Sequence, residues 1–145
     1  LKIVGEGPLL NKIIDFIKTN QLTSRVFILG GIYEEEDLKN LFEESIYCIS
    51  PNQAGLSVLK SFGYGVPFIT KTNAITGGER LNILNGYNGI LFESFDDLVD
   101  IIRHTQENVD YFYKMGLRAK KYYNENTTLS IMKEGFVNAI ENTLK

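Results

Sequence analysis

Short apolar, β-branched runs alternate along the chain with longer stretches in which apolar residues recur every three or four positions, and the alternation continues to about residue 92. LKIV (1–4) reads as a strand and GEGP as the turn after it. A helix is predicted from Pro8 to about Asn20, with Pro at its first position and apolar residues at 9, 10, 13, 14 and 17. RVFILGG (25–31) predicts the next strand, and 34–45 the next helix, whose acidic residues 34–37 suit the positive end of the helix dipole. IYCIS (46–50), VPFIT (66–70) and GILF (89–92) predict three more strands. A short helix opening near Gly55 lies between the first two of these, and 71–88 hold a loop with a helical turn or two near 79–85. Helices at 95–106, 108–124 and 128–144 follow, with Thr127 or Thr128 as a cap.

Strands that are apolar on both faces and alternate with helices imply a parallel sheet covered on both sides. The expected architecture is a single α/β domain over 1–145, a doubly wound parallel sheet in 1–92 with a helical tail in 93–145. In such sheets ligands bind beyond the carboxyl ends of the strands. That directs attention to GEGP, SPNQAG (50–55) and TKTNAITGGE (70–79).

Composition narrows the choice of ligand. With 43% hydrophobic and 23% charged residues, 145 residues suffice for one real core. A net charge of -3 without a basic block argues against nucleic acid as a partner. The single Cys excludes an internal disulfide and suits a reducing compartment. No apolar run approaches the roughly 20 residues of a membrane span. The opening residue is Leu1 rather than Met, inside a predicted strand, so the sequence is expected to be a piece of a longer protein.

Backbone N–H groups at a helix start are unpaired and carry partial positive charge, which makes them a seat for phosphate. Ala54 and Gly55 keep side chains small there, and Ser57 can add a hydroxyl. The Gly5–Gly7 turn offers a second such start. Either loop also fits a simpler reading, in which Gly and Pro only turn the chain tightly. GEGP is not the dinucleotide fingerprint, which needs a third Gly.

Taken in order, LKIVGEGPL, RVFILGGI, YCISPNQAGLSVLKSFGYGVPFIT and GGERLNILNGYNGILFE resemble the C-terminal, nucleotide-sugar-binding domain of glycosyltransferase family 4, which has the GT-B fold. The resemblance covers roughly 1–92. The S-P, G-L, G-x-P run and the later N-G-x-N-G-x-L-F run carry most of it. It implies a Rossmann-like domain of a retaining hexosyltransferase that moves a sugar from a UDP- or GDP-sugar to a glycan or lipid-linked acceptor, as in polysaccharide assembly. It implies no metal and no further cofactor, and a partner N-terminal domain that this chain lacks. A cytoplasmic location follows, with peripheral contact at the inner membrane face where lipid-linked acceptors sit. The fragment alone is expected to be inactive. The donor-binding residues so implied are Gly5, Gly7, Asn52, Gln53, Ala54, Gly55, Leu56, Ser57, Lys60, Gly78 and Glu79; no catalytic residue is assigned.

Three departures qualify the resemblance. Aligned through GVP (65–67), the two Glu of the family pattern fall on Asn52 and Lys60; the second usually accepts from ribose hydroxyls, and Lys60 has no acceptor. A Glu expected after the Gly77–Gly78 pair falls on Leu81, with Glu79 as a nearby substitute. The family's first strand, carrying an Arg and followed by a Lys that contact the diphosphate, does not precede LKIV. Without it the chain should be poorly stable, unless LKIV and IYCIS pair directly. Lys60 and Lys71 either restore positive charge or, in the case of Lys60, simply reach solvent. A degenerate, non-catalytic domain is therefore the alternative function, and a GT-B-like epimerase a weaker third.

The remaining candidates have plain structural readings. His104 has no orienting partner in the pattern and reads as surface, and Cys48 reads as buried and structural. Tyr111, Phe112, Tyr113, Tyr122 and Tyr123 read as core packing or as a face for a partner domain or membrane. The last helix is expected to leave some apolar surface uncovered.

Overall fold

The computed structural model describes residues 1–143. The chain divides into two compact units, Leu1–Leu41 and Phe42 onward. In the first, β1 (Lys2–Ile3) and β2 (Phe27–Ile28) pair in parallel across the helix α1 (Leu10–Thr19). Gly5 N–H to the Gly30 carbonyl, at 2.7 Å, carries the pairing beyond β1. Pro8 lies in a turn before α1 rather than at its first position, since the amide of Leu10 already bonds Gly7 at 3.1 Å. Only Ile17 of this unit's apolar side chains is buried, and Phe16 and Phe27 are exposed.

After α2 (Glu35–Glu43), the second unit is built on β3 (Cys48–Ile49), β4 (Phe68–Lys71) and β5 (Gly89–Phe92), parallel and in the order β3-β4-β5. Cys48 aligns with Phe68, and Phe68 with Gly89. Helix α3 (Ser57–Gly63) joins β3 to β4; α4 (Phe95–Glu107), α5 (Val109–Asn126) and α6 (Leu129–Thr143) follow β5. Successive residues of a strand point to opposite faces, and both faces of β4 are covered. Phe68 packs with Val58 and Phe62 of α3, Ala119 of α5 and Ile83. Ile69 packs with Phe92 and Phe112, against which Tyr47, Leu98 and Ile101 lie. Helix α5 contributes to both sides, so the sheet is helix-covered on its two faces, as the patterning predicts.

The expected single sheet is present as two, one of two strands and one of three. The direct pairing of LKIV with IYCIS does not occur: β1 pairs only with β2, and β3 only with β4. Each keeps one strand edge without a ladder among the described residues. The tail aromatics divide. Phe112 is fully buried, while Tyr122 meets Phe62 edge-on at 6.3 Å and Tyr123 packs beside it. Tyr111 and Tyr113 stay exposed, as do Leu129, Met132, Phe136 and Ile140 of α6. Burial pushes the Cys48 thiol up to about 11, which keeps it protonated and poorly nucleophilic.

Helix α5 crosses the sheet at Gly116, where a Cβ would overlap the Gly65 carbonyl and approach Pro67 to 3.3 Å. Gly135 of α6 has nothing within 4 Å of that position. The same substitution should therefore have opposite signs in the two helices. Gly116→Ala is expected to destabilise by about 1–3 kcal/mol through overpacking, and Gly135→Ala to stabilise by about 0.5–1 kcal/mol through helix propensity. Denaturant midpoints of the two variants test this; equal effects would remove the close crossing at Gly116.

Candidate functional site

Two loops meet beyond the carboxyl ends of β3 and β4. Past the strand ends their backbones keep pairing: Lys71 N–H bonds the Pro51 carbonyl at 3.1 Å, Ile75 N–H the Asn52 carbonyl at 2.9 Å, and Ala54 N–H the Ile75 carbonyl at 2.8 Å. Thr70 Oγ1 adds a bond to the Ser50 carbonyl at 2.7 Å. The SPNQAG loop is thus sewn to the loop after β4.

Within this frame Ala54 is fully buried in the core cluster, and its amide is committed. Its small side chain serves packing, and its N–H is not a free donor. Helix α3 begins at Ser57, two residues later than expected, because Gly55 and Leu56 form the turn into it, with Val58 N–H bonding the Gly55 carbonyl at 2.9 Å. Among the described residues nothing accepts from the N–H groups of Gly55, Leu56 or Ser57. A Cβ built on Gly55 would meet nothing within 4 Å. The mouth is open. Asn52, Gln53, Leu56, Ser57 and Lys60 are exposed around it.

The second loop is held by its own polar groups. Thr76 Oγ1 accepts from Gly78 N–H at 3.0 Å and Arg80 N–H at 3.1 Å, and donates to Glu79 Oε2 at 3.2 Å. Glu79 Oε2 also accepts from Gly77 N–H at 3.0 Å. Bonds from its own amide, Thr76 and Gly77 hold the Glu79 carboxyl below its ordinary range. Gly78, at φ 129°, takes a conformation closed to other residues. Residues Glu79–Asn82 then make a single 3₁₀ turn that packs on α3. Leu81, where the resemblance places a Glu, is 73% exposed.

Below this turn, Asn88 is completely buried: its Oδ1 accepts from Leu84 N–H at 2.8 Å and its Nδ2 donates to the Asn82 carbonyl at 3.0 Å. Asn85 Oδ1 accepts from Leu91 N–H at 2.9 Å. The NGYNG run is therefore the brace of the 3₁₀ turn. Thr76 and Asn88 were not among the sequence candidates; a Thr directly before a Gly pair is a side-chain turn signal that points to the first. Gly5 and Gly7 belong to the other unit, where Gly5 has its amide committed to Gly30 and Gly7 is exposed. His104 lies at the end of α4 beside Asn108, 3.2 Å away, and edge-on to Tyr111 and Phe112. Among the described residues no group of His, Cys, Asp and Glu is placed to hold a metal ion, and no helix is long and apolar enough to cross a membrane.

No protein-family model matches the chain, and neither does any curated protein. Solved structures do. HepE of Anabaena, in complex with UDP-glucose, superposes with a TM-score of 0.78 over 97% of the chain at 17% identity. The C-terminal domain of a glycosyl transferase group 1 family protein (LpcC) from Francisella tularensis does so with a TM-score of 0.69 over 85% of the chain at 15% identity. This is the fold of a GT-B C-terminal domain. TarM of S. aureus, as a mutant in complex with UDP, fondaparinux and alpha-GlcNAc-glycerol, shares it with a TM-score of 0.81 over 94% of the chain at 23% identity. The GT-B domain described here spans 40% of the HepE chain, 28% of the TarM chain and 66% of the LpcC domain.

The two bonds of the buried Asn88 make it a sensitive polar residue of this domain. Asn88→Ala should destabilise by about 2–3 kcal/mol, because the Leu84 N–H and the Asn82 carbonyl lose their partners in a buried place; a change below 0.5 kcal/mol in denaturant unfolding would remove the brace. Glu79 and Asp97, whose carboxylate completes a capping box with Ser94, both have folded values below their ordinary ones. Their stabilising contribution is full above the ordinary carboxylate range, about pH 4, and is lost as pH falls through the depressed values. Melting temperatures between pH 6 and pH 2 should therefore fall less steeply in Glu79→Gln and Asp97→Asn than in the parent; parallel curves would contradict the assignment.

Proposed function

We propose that this chain is the donor-binding part of a retaining glycosyltransferase that takes a sugar from a UDP- or GDP-sugar and passes it to a glycan or lipid-linked acceptor. The observation that carries the reading is the open mouth of the SPNQAG loop on a GT-B domain. Three unpaired N–H groups, of Gly55, Leu56 and Ser57, stand there with space beside Gly55. Oriented amides of this kind hold a diphosphate, and offset the charge that grows on it as the sugar departs, without reorganising during the reaction. Complexes of HepE with UDP-glucose and of HepE with UDP show that proteins of this fold bind such donors. The resemblance assigns the exposed Asn52 to the sugar and puts the ribose near Lys60. The Gly5–Gly7 turn is assigned to the phosphates by the resemblance. Acceptor contacts belong to the part of a GT-B enzyme outside this chain, with polysaccharide assembly in the cytoplasm, at the membrane surface, as the setting.

A second reading is a degenerate domain kept for binding or assembly. It is favoured by Asn52, Lys60 and Leu81 at positions where carboxylates are expected, and by the engagement of Glu79 within its own turn.

Calorimetry on the full-length protein with UDP, GDP and their sugars separates the two. The donor reading expects one nucleotide family to bind, and Gly55→Asp to weaken it by at least ~10-fold, because a carboxylate then faces the anion's seat. Gly55 is open, so that variant should fold as the parent does. Intact folding with no binding to any of these ligands would leave the non-catalytic reading.

A further inference from the structure

The charged side chains of the second unit mostly have partners. Lys114 pairs with Asp110 at 2.6 Å, Arg103 with Asp100 at 3.3 Å and Lys121 with Glu125 at 3.9 Å. Arg118 donates from Nε to the Tyr87 carbonyl at 2.6 Å and stacks on the Tyr87 ring. Lys71 lies 4.8 Å from the centre of the Phe95 ring. Arg80 is different. Its Nε is sealed from solvent and has no hydrogen-bond partner, and its guanidinium makes no ion pair among the described residues. The neighbouring acid, Glu79, is turned the other way, onto Thr76 and Gly77.

The backbone at Arg80 is fixed on both sides. Its N–H bonds Thr76 Oγ1 and its carbonyl accepts from Ile83 N–H at 3.0 Å. The residue as a whole is half-buried, and of its side-chain nitrogens Nε is the one both sealed from solvent and without a partner. The fixed backbone carries a cation that pairs with no carboxylate among the described residues, and burying an unsatisfied guanidinium nitrogen is a cost that native chains rarely leave without a use. The turn that bears it packs on α3, and its loop is sewn to the SPNQAG loop through Ile75.

We propose that Arg80 is an anion-binding residue of this site, taking phosphate oxygens of the donor's nucleoside diphosphate end-on through Nη1 and Nη2. The inference rests on the donor reading above and adds to it a residue and a charge. A planar guanidinium suits two phosphate oxygens at once, which an ammonium does not reproduce. Arg80 thus supplies, from the loop after β4, a positive charge that the free amides only partly provide.

The test uses the full-length protein and its Arg80→Met and Arg80→Lys variants, titrated with UDP, GDP, uridine and guanosine. For whichever nucleotide the parent binds, Arg80→Met should weaken the diphosphate at least 10-fold and leave the nucleoside unchanged, and Arg80→Lys should recover part of the loss. The unfolding midpoint of Arg80→Met should equal or exceed that of the parent, since a buried unpaired donor is removed; a purely structural residue would lower it. Diphosphate binding by Arg80→Met within 2-fold of the parent overturns the inference while the donor reading stands. A parent that binds no nucleotide removes the donor reading and this inference with it. If Arg80→Met does not fold, Arg80→Lys decides: unchanged diphosphate affinity overturns the proposal, and a selective loss supports it.

Discussion

Two backbone hydrogen bonds, Ala54 N–H to the Ile75 carbonyl and Ile75 N–H to the Asn52 carbonyl, hold the site together. They lie past the ends of β3 and β4, where a parallel ladder would normally give way to separate loops. Because the pairing continues, the position of Gly55, Leu56 and Ser57 is set by the sheet rather than by loop flexibility. A helix of seven residues such as α3 has little stability of its own. What fixes its start is the sewn backbone beneath it and the burial of Ala54, Val58 and Phe62 against Phe68.

The same loop is restrained from the other side by polar contacts that reach into the tail. Asn82 links three elements: its Nδ2 donates to the Glu79 carbonyl, its carbonyl accepts from Asn88, and its Oδ1 accepts from Tyr122 of α5 at 3.3 Å. Helix α5 is pressed onto the sheet by the contact of Gly116 with Gly65. The tail therefore braces this loop through Tyr122. On the proposed donor role this rigidity matters, since loose donors lose part of their binding energy to ordering.

Much of the fold was legible. Predicted helices at 95–106, 108–124 and 128–144 correspond to Phe95–Glu107, Val109–Asn126 and Leu129–Thr143, because their apolar spacing and the caps Ser94 and Thr128 are local signals. Four of the five strands lie within the predicted runs and β4 passes its run by one residue, to Lys71, though β1, β2 and β3 are only two residues long. Strand length depends on pairing, and the β1–β2 and β3–β4 ladders each register only two residue pairs. The site was legible in outline. Gly55 and Ser57 stand where a helix start was expected, but the roles of Ala54, Thr76 and Asn88 depend on backbone pairing and burial, which no residue pattern reports. Ala54 looked like room for an anion and proved to be room for the core. Arg80 drew no notice because its distinction is an absence of partners, visible only once the surrounding side chains are placed.

The two glycine turns implied by the resemblance consequently rest on unequal foundations. The one at Gly55 is anchored in a unit with a core on both faces of its sheet. The one at Gly5 and Gly7 follows a two-residue strand, in a unit whose apolar side chains are mostly exposed. Its single cross-strand bond, Gly5 N–H to Gly30, cannot order it as firmly as the ladder orders the other. Stability in a protein is local, and elements with few buried contacts open first. On the proposed donor role, the fixed geometry available to an anion is that of Gly55–Ser57 and of the turn at Thr76–Arg80, both held within the second unit.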